Sequence, residues 1–155
     1  MLDIKIEKMT KEHLEQIKGI LEEQFDEFWN ASVLDKELEN PLSEYLVAIY
    51  EEEVVGYVGL WQPIDEGHIT NIVTKKDKRG NYIGTRMLEE IIKLAKNKCL
   101  NCVTLEVNEN NESAIKLYKK YNFKEIGKRK KYYNNIDDAI IMTLDLFEDE
   151  RKISQ

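Results

Sequence analysis

Histidine, cysteine and long apolar runs are scarce in this chain, and each shortage closes off a class of function. Only His13 and His68 occur among 155 residues, which leaves few candidates for histidine-based catalysis. Cysteine occurs twice, as Cys99 and Cys102 in a C-x-x-C spacing. One such pair with two distant histidines makes a poor zinc site. A thioredoxin-like pair follows a strand and opens a helix, whereas this pair follows a helix-like run and leads into a strand-like one. Two reduced thiols, at least one of them packed, are expected. No Ser-His-Asp set, metal cluster or P-loop is visible, so no metal is expected. No apolar run approaches the length of a membrane span. Residues 1–7 alternate without a signal-peptide core, and a cytoplasmic protein is expected.

Positive charge is also in short supply. The formal net charge is -7, and non-specific nucleic-acid binding needs a positive surface, so direct DNA or RNA binding is disfavoured. A cationic substrate suits the balance better. The run Lys75-Lys76-Asp77-Lys78-Arg79 opposes the global sign, and as a charge run alone it reads as a solvated loop. With 42% hydrophobic and 34% charged residues, the composition is that of a folded domain rather than a disordered chain. We expect one domain over 1–146 and a charged C-terminal tail over 147–155.

The periodicities lay out the order β-α-α-β-β-β-α-β-α-β-β, a mixed α/β (α+β) sheet fold. Leu2, Ile4 and Ile6 alternate as a first strand. Thr10 is placed to cap a helix carrying Leu14, Ile17, Leu21 and Phe25 on one face. Phe28-Trp29-Asn30 interrupts it, Ser32 caps a short second helix through Leu38, and Pro41 closes that segment. Residues 45–50 and 54–61 read as an antiparallel hairpin. Gly56 and Gly59 weaken its second strand unless something approaches closely there. Residues 68–74 form a fourth strand, followed by a helix to about Lys98, a strand over 102–107 and a helix around Ala114, Ile115, Tyr118 and Tyr121. Asn122 suits that helix's C-terminus. Strands over 123–133 and 139–146 complete the order. The helix between the fourth and fifth strands makes a right-handed crossover, so those two run parallel.

Between the fourth strand and its helix lies Arg79-Gly80-Asn81-Tyr82-Ile83-Gly84-Thr85. A glycine-bearing strand-to-helix turn offers free backbone N–H groups at a helix N-terminus, a natural phosphate site. It lies at the C-terminal end of a parallel strand, where α/β sheets hold ligands. Glu106 interrupts the apolar alternation of the fifth strand near its C-terminal end, which is expected beside this turn. A carboxylate there can serve as general base; taken alone, it also reads as an exposed strand residue. Tyr118 lies on the apolar face of the next helix, where an aromatic is usually core, but its phenol is protonated at neutral pH and can donate. Asn111 can cap that helix or bind a cofactor amide.

These segments together resemble the GNAT superfamily of acetyl-CoA-dependent N-acetyltransferases. Within it they resemble the RimI branch, which acetylates the N-terminal alanine of a small-subunit ribosomal protein. The similarity covers roughly 2–146. It runs through Asp65-Glu66-Gly67-His68-Ile69-Thr70-Asn71-Ile72-Val73, then Leu105-Glu106-Val107 with Asn111, Ala114, Leu117-Tyr118 and Phe123. It continues in Arg129-Lys130-Lys131-Tyr132-Tyr133 and Asp138-Ala139-Ile140-Ile141-Met142. Phe28-Trp29 falls where that branch carries an aromatic loop. The superfamily turn reads Gln/Arg-x-x-Gly-x-Gly/Ala, and here Tyr82 replaces its first glycine. Backbone N–H donation survives that change, but the side chain must find room and a tolerable φ. Asn108 and Asn30 replace the arginine and serine usual in the branch.

The resemblance implies acetyl-CoA as co-substrate and a protein N-terminus or other peptide amine as acceptor. It implies Glu106 as general base and Tyr118 as general acid. Ile72, Val73 and Thr74 correspond to the strand edge that pairs with the pantetheine arm, Arg79 with residues 80–85 to the pyrophosphate cradle, and Asn111 to an acetyl-CoA contact. Apart from the resemblance, Glu66, with Asp26, Glu27 and Asp65, can favour a basic peptide, and Phe28, Trp29, Tyr132 and Tyr133 can wall its site; all of them read equally well as ordinary surface and core. A monomer is expected. An acetyltransferase for another amine (a polyamine, an aminoglycoside, a different N-terminus) and a non-catalytic acetyl-CoA-binding module are the alternatives.

Overall fold

The chain begins with a strand edge and a capped helix, and the cap explains where the helix starts. In the computed structural model, which describes residues 2–25, 30–133 and 136–147 and the side chains of these except 131–133, β1 is Lys5–Lys8 and α1 is Lys11–Ile17. Thr10 Oγ1 accepts from the His13 N–H at 3.3 Å, and His13 Nδ1 accepts from the Thr10 N–H at 2.9 Å. This reciprocal box satisfies two helix-end donors at once. Leu14, Ile17, Leu21 and Phe25 are all buried, as their spacing predicts. One helix does not carry them, however. The chain turns through Lys18-Gly19-Ile20 and resumes as a π-helical turn, Leu21–Phe25. Glycine loosens a helix interior, and the wider turn keeps Leu21 and Phe25 inward.

The second helix, α2, is Ala31–Glu39, and Asn30 rather than Ser32 caps it, accepting from the Val33 N–H at 3.0 Å. Asparagine caps as well as serine does, and the extended backbone at Asn30 fits the cap conformation. β2 (Ser43–Tyr50) and β3 (Glu53–Trp61) pair antiparallel. Glu51 and Glu52 join them with φ of 49° and 66°, the twist a two-residue hairpin requires. Tyr45, on β2, lies over Gly59: a methyl there would meet the tyrosine ring at 2.4 Å. That close approach is the reason the strand holds a glycine.

β4 is Glu66–Thr74, so Glu66 and Gly67 belong to the strand rather than to the preceding loop. A 3-10 turn (Lys76–Lys78) leads to α3, Ile83–Asn97. β5 (Cys102–Asn108) follows, then α4 (Glu112–Lys120), β6 (Lys124–Tyr133) and β7 (Asp137–Asp145). The seven strands run in the order β1-β2-β3-β4-β5-β7-β6. β4 and β5 pair in parallel through Glu66↔Cys102, Gly67↔Val103 and His68↔Thr104, as the crossover helix requires. The mixed α/β sheet fold read from the sequence is the fold observed.

Two compact units make up the chain: Met1–Gln62 with Thr70–Leu94, and Pro63–Ile69 with Ala95–Gln155. In the first, Met9, Leu14, Ile17, Phe25, Leu34, Tyr45, Tyr57 and Val73 share one buried cluster. In the second, Val103, Leu105 and Val107 bury one face of β5, while Cys102, Thr104, Glu106 and Asn108 share the half-exposed face. The sequence reading of Glu106 as a break in the alternation is thus corrected: it occupies a regular position on the half-exposed face.

Candidate active site

The strand-to-helix turn of the first unit is built to leave backbone donors open. The Arg86 N–H bonds to the Tyr82 carbonyl at 3.0 Å, which makes Tyr82 the cap of α3. The N–H groups of Ile83, Gly84 and Thr85 then occupy the first helical turn, where no intrahelical acceptor exists. Gly80 has φ +86°, with nothing within 4 Å of where a side chain would start. A methyl at Gly84 would approach only Thr74 Oγ1, at 3.8 Å. Tyr82 itself adopts φ +62° and is 63% exposed. That left-handed backbone is the conformation a glycine supplies without strain. The turn keeps the shape of a phosphate cradle even though the first glycine is absent, and its row of open N–H groups fits an anion.

Neighbouring side chains brace this turn. Arg79 donates to the Thr74 carbonyl at 3.4 Å and to the Phe25 carbonyl at 3.3 Å, and Asn81 Nδ2 donates to the Lys78 carbonyl at 2.9 Å. Lys75 is not part of a solvated loop: it is buried and ion-paired with Glu53. On β4, Val73 is buried, and Ile72 and Thr74 are half-buried. All three lie beyond the residues of β4 that pair with β5.

The second unit holds the candidate proton-transfer groups. Glu106 projects from β5 with its side chain 26% exposed, and its Oε1 lies 2.8 Å from Arg129 Nη2 on β6. Arg129 appears in the sequence reading only as part of a matching segment and with no role, because its meeting with Glu106 depends on strand register. Tyr118 is buried on α4, with its ring 5.8 Å from that of Phe123. The helix end fixes that pair. The Phe123 N–H bonds to the Tyr118 carbonyl and the Asn122 N–H to the Lys119 carbonyl, both at 3.0 Å, while Asn122 takes φ 71°. This is the Schellman stop, whose two outer residues pack together. Asn111 caps α4, its Oδ1 accepting from the Ala114 N–H at 3.2 Å.

Glu66 opens β4, and its carboxylate lies 3.8 Å from His68 Nε2. Phe28, Trp29, Asp26 and Glu27 lie outside the described residues. Tyr132 and Tyr133 belong to the backbone of β6, and their side chains lie outside the described part. Cys99 and Cys102 are free thiols, the first exposed and the second half-buried. Burial pushes the Cys102 thiol above its ordinary pKa, and the nearby Glu66 charge adds to this, the opposite of what activates a nucleophile. Among the described residues, no group of three His, Cys, Asp or Glu side chains is placed to hold a metal, and no helix is long and apolar enough to cross a membrane. A cleft of about 490 Å³ in the first unit is lined by residues including Glu7, Glu12, His13 and Glu52, and by none of the predicted site residues.

Residues 14–123 match the family model described as acetyltransferase (GNAT) family. A Bacillus subtilis protein named provisionally as a [ribosomal protein bS18]-alanine N-acetyltransferase is 34% identical over 145 residues, covering 92% of this chain and 96% of its own. The crystal structure of the ribosomal-protein-S18-alanine N-acetyltransferase from Escherichia coli superposes with a TM-score of 0.84 at 23% identity, covering 92% of this chain and 93% of the other. A GNAT family acetyltransferase from Elizabethkingia anophelis, solved with acetyl-CoA bound, has a TM-score of 0.72 at 23% identity, covering 92% and 98%. With the strand order and the cradle already in place, these matches show that the chain belongs to the acetyltransferase (GNAT) family and is an N-acetyltransferase.

Proposed function

We propose that this enzyme transfers the acetyl group of acetyl-CoA to a protein N-terminal α-amine, with the N-terminal alanine of a small-subunit ribosomal protein as its acceptor. The observation that carries the acceptor is the near full-length match to the Bacillus relative, whose name states that activity. The cradle supports the co-substrate: open N–H groups at Ile83, Gly84 and Thr85 suit a pyrophosphate, and the outer edge of β4 at Ile72, Val73 and Thr74 suits the amide-bearing arm. Asn111 would contribute a further contact, and Glu66 a negative charge toward a basic peptide.

When bound, acetyl-CoA supplies the acyl group as a thioester, so that a C–N bond forms as the C–S bond breaks. At pH 7 about nine-tenths of a free α-amine is protonated, given its pKa near 8, and cannot attack. Glu106 takes that proton, directly or through water, and leaves the nitrogen lone pair free. The Val73 N–H steadies the oxygen on which charge develops. Tyr118 donates its proton to the departing thiolate and is reprotonated by the second proton that the acylated nitrogen sheds. Positioning of both substrates contributes more than either transfer, because orientation alone is worth about 7–11 kcal/mol in well-aligned reactions. The enzyme works as a cytoplasmic monomer in this reading.

The reading is tested by calorimetry with acetyl-CoA and by thiol release from it in the presence of an amine panel that includes an alanine-led ribosomal peptide. Binding together with release on that peptide is the expected result. Release only with small amines would reassign the acceptor, and binding without any release would make the chain a non-catalytic binder.

A further inference from the structure

Across β6, β7 and β5, the register fixes two neighbouring rows on the half-exposed sheet face. One row is Arg129, Ala139 and Asn108; the next is Gly127, Ile141 and Glu106. Paired residues share a face, and so do residues two apart on a strand. Arg129 therefore starts in the row beside that of Glu106, with β7 between them. Its guanidinium nevertheless ends 2.8 Å from Glu106 Oε1.

Three features of the sequence leave this diagonal open. The residue directly between Arg129 and β5 is Ala139, whose side chain is a single methyl. On β6, the row that contains Glu106 holds Gly127, which has no side chain to compete for the carboxylate. Asn108, which stands in Arg129's own row, spends its amide elsewhere: Nδ2 donates to Asp137 Oδ2 at 3.1 Å, and Oδ1 accepts from the Asn110 N–H at 2.9 Å. A guanidinium crossing the face thus meets Glu106.

The pair is a poor device for stability. Arg129 is 55% exposed on its side chain, and exposed ion pairs contribute little to folding. It is a good device for orientation. A planar guanidinium binds a carboxylate oxygen along a fixed direction, which stops the Glu106 side chain from sampling its other rotamers.

We infer that Arg129 is a positioning residue for Glu106: it grips Oε1 and turns Oε2 toward the acceptor proton. This rests on the reading of Glu106 as general base. The arginine touches no reacting atom, so its effect falls on turnover rather than on acceptor binding.

The test is a double-mutant cycle with wild type, Glu106→Gln, Arg129→Gln and the double variant. Each is assayed for kcat and acceptor KM on the peptide amine, with thermal melts confirming that each folds. We expect Arg129→Gln to lower kcat about tenfold and to leave acceptor KM within about twofold. In the Glu106→Gln background the same substitution changes kcat by less than about twofold, because no carboxylate remains to be held. Wild-type kcat in Arg129→Gln, or an equal loss in both backgrounds, overturns the positioning role and leaves Glu106 standing as base. A raised KM at unchanged kcat overturns it as well, making Arg129 a substrate contact. Wild-type turnover in Glu106→Gln overturns the base assignment, and the positioning role with it.

Discussion

Arg129 and Glu106 stand on strands separated by β7, yet their side chains close to 2.8 Å across it. The pair costs little to hold, since about half of the arginine side chain stays in water. Arg129→Gln should therefore lower unfolding stability by no more than about 1 kcal/mol. Chemical denaturation at low and high salt measures it, and the small loss should shrink further as salt rises.

Glu106→Gln and Tyr118→Phe should separate chemistry from folding. Phenylalanine keeps the ring that packs on Phe123 and removes only the hydroxyl. Both variants should melt near wild type while turnover falls roughly 100-fold, the usual scale of one lost proton transfer. Near-wild-type rates in both would withdraw the roles assigned to them.

Two glycines should answer differently to alanine. At Gly59 a methyl would meet the Tyr45 ring at 2.4 Å and Thr70 Oγ1 at 2.7 Å, so Gly59→Ala should destabilise by about 1–3 kcal/mol. At Gly84 a methyl would find only Thr74 Oγ1, at 3.8 Å. Gly84→Ala should match or exceed wild-type stability, because alanine is the better helix former by about 1 kcal/mol. Denaturant midpoints at unchanged slope decide both.

Tyr45 should leave a mark on alkaline stability. Burial pushes its phenol well above the usual tyrosine range; the hydrogen bond with Thr70 at 3.0 Å offsets part of this, and the Glu37 charge adds to it. In the unfolded chain the phenol ionises near its ordinary pKa, about 10. Below that pH both states hold the proton, and the full stability is present. Above it the unfolded state loses the proton first, so stability falls as pH rises toward the folded value. Tyr45→Phe should flatten that decline in a series of melts across this range, and an unchanged slope would show that the phenol is not its source.

Much of the fold was legible because local rules agree with the final packing. The cap at Thr10, the hairpin turn after residue 50, the amphipathic helix after the glycine turn and the helix stop at Asn122 each lie within a few residues of sequence. The misreadings arose where neighbours compete. Asn30 displaced Ser32 as a cap because both can fill the role and the chain takes one. Lys75 looked solvated until Glu53, 22 positions earlier, came to meet it.

The sequence by itself determined the order of elements, the apolar stripes and the glycine-bearing turn between strand and helix, because periodicity, capping and glycine placement are properties of short segments; Glu106, Asn111 and Tyr118 stood out as a set only through the family resemblance. Only the tertiary structure decided what those residues touch. The backbone of Tyr82 is left-handed, so the turn keeps a glycine's shape without the glycine. Arg129 meets Glu106 through the register of three strands, one of which contributes the alanine that leaves the way clear. Register sums pairings across strands far apart in the chain, and no local pattern carries that sum.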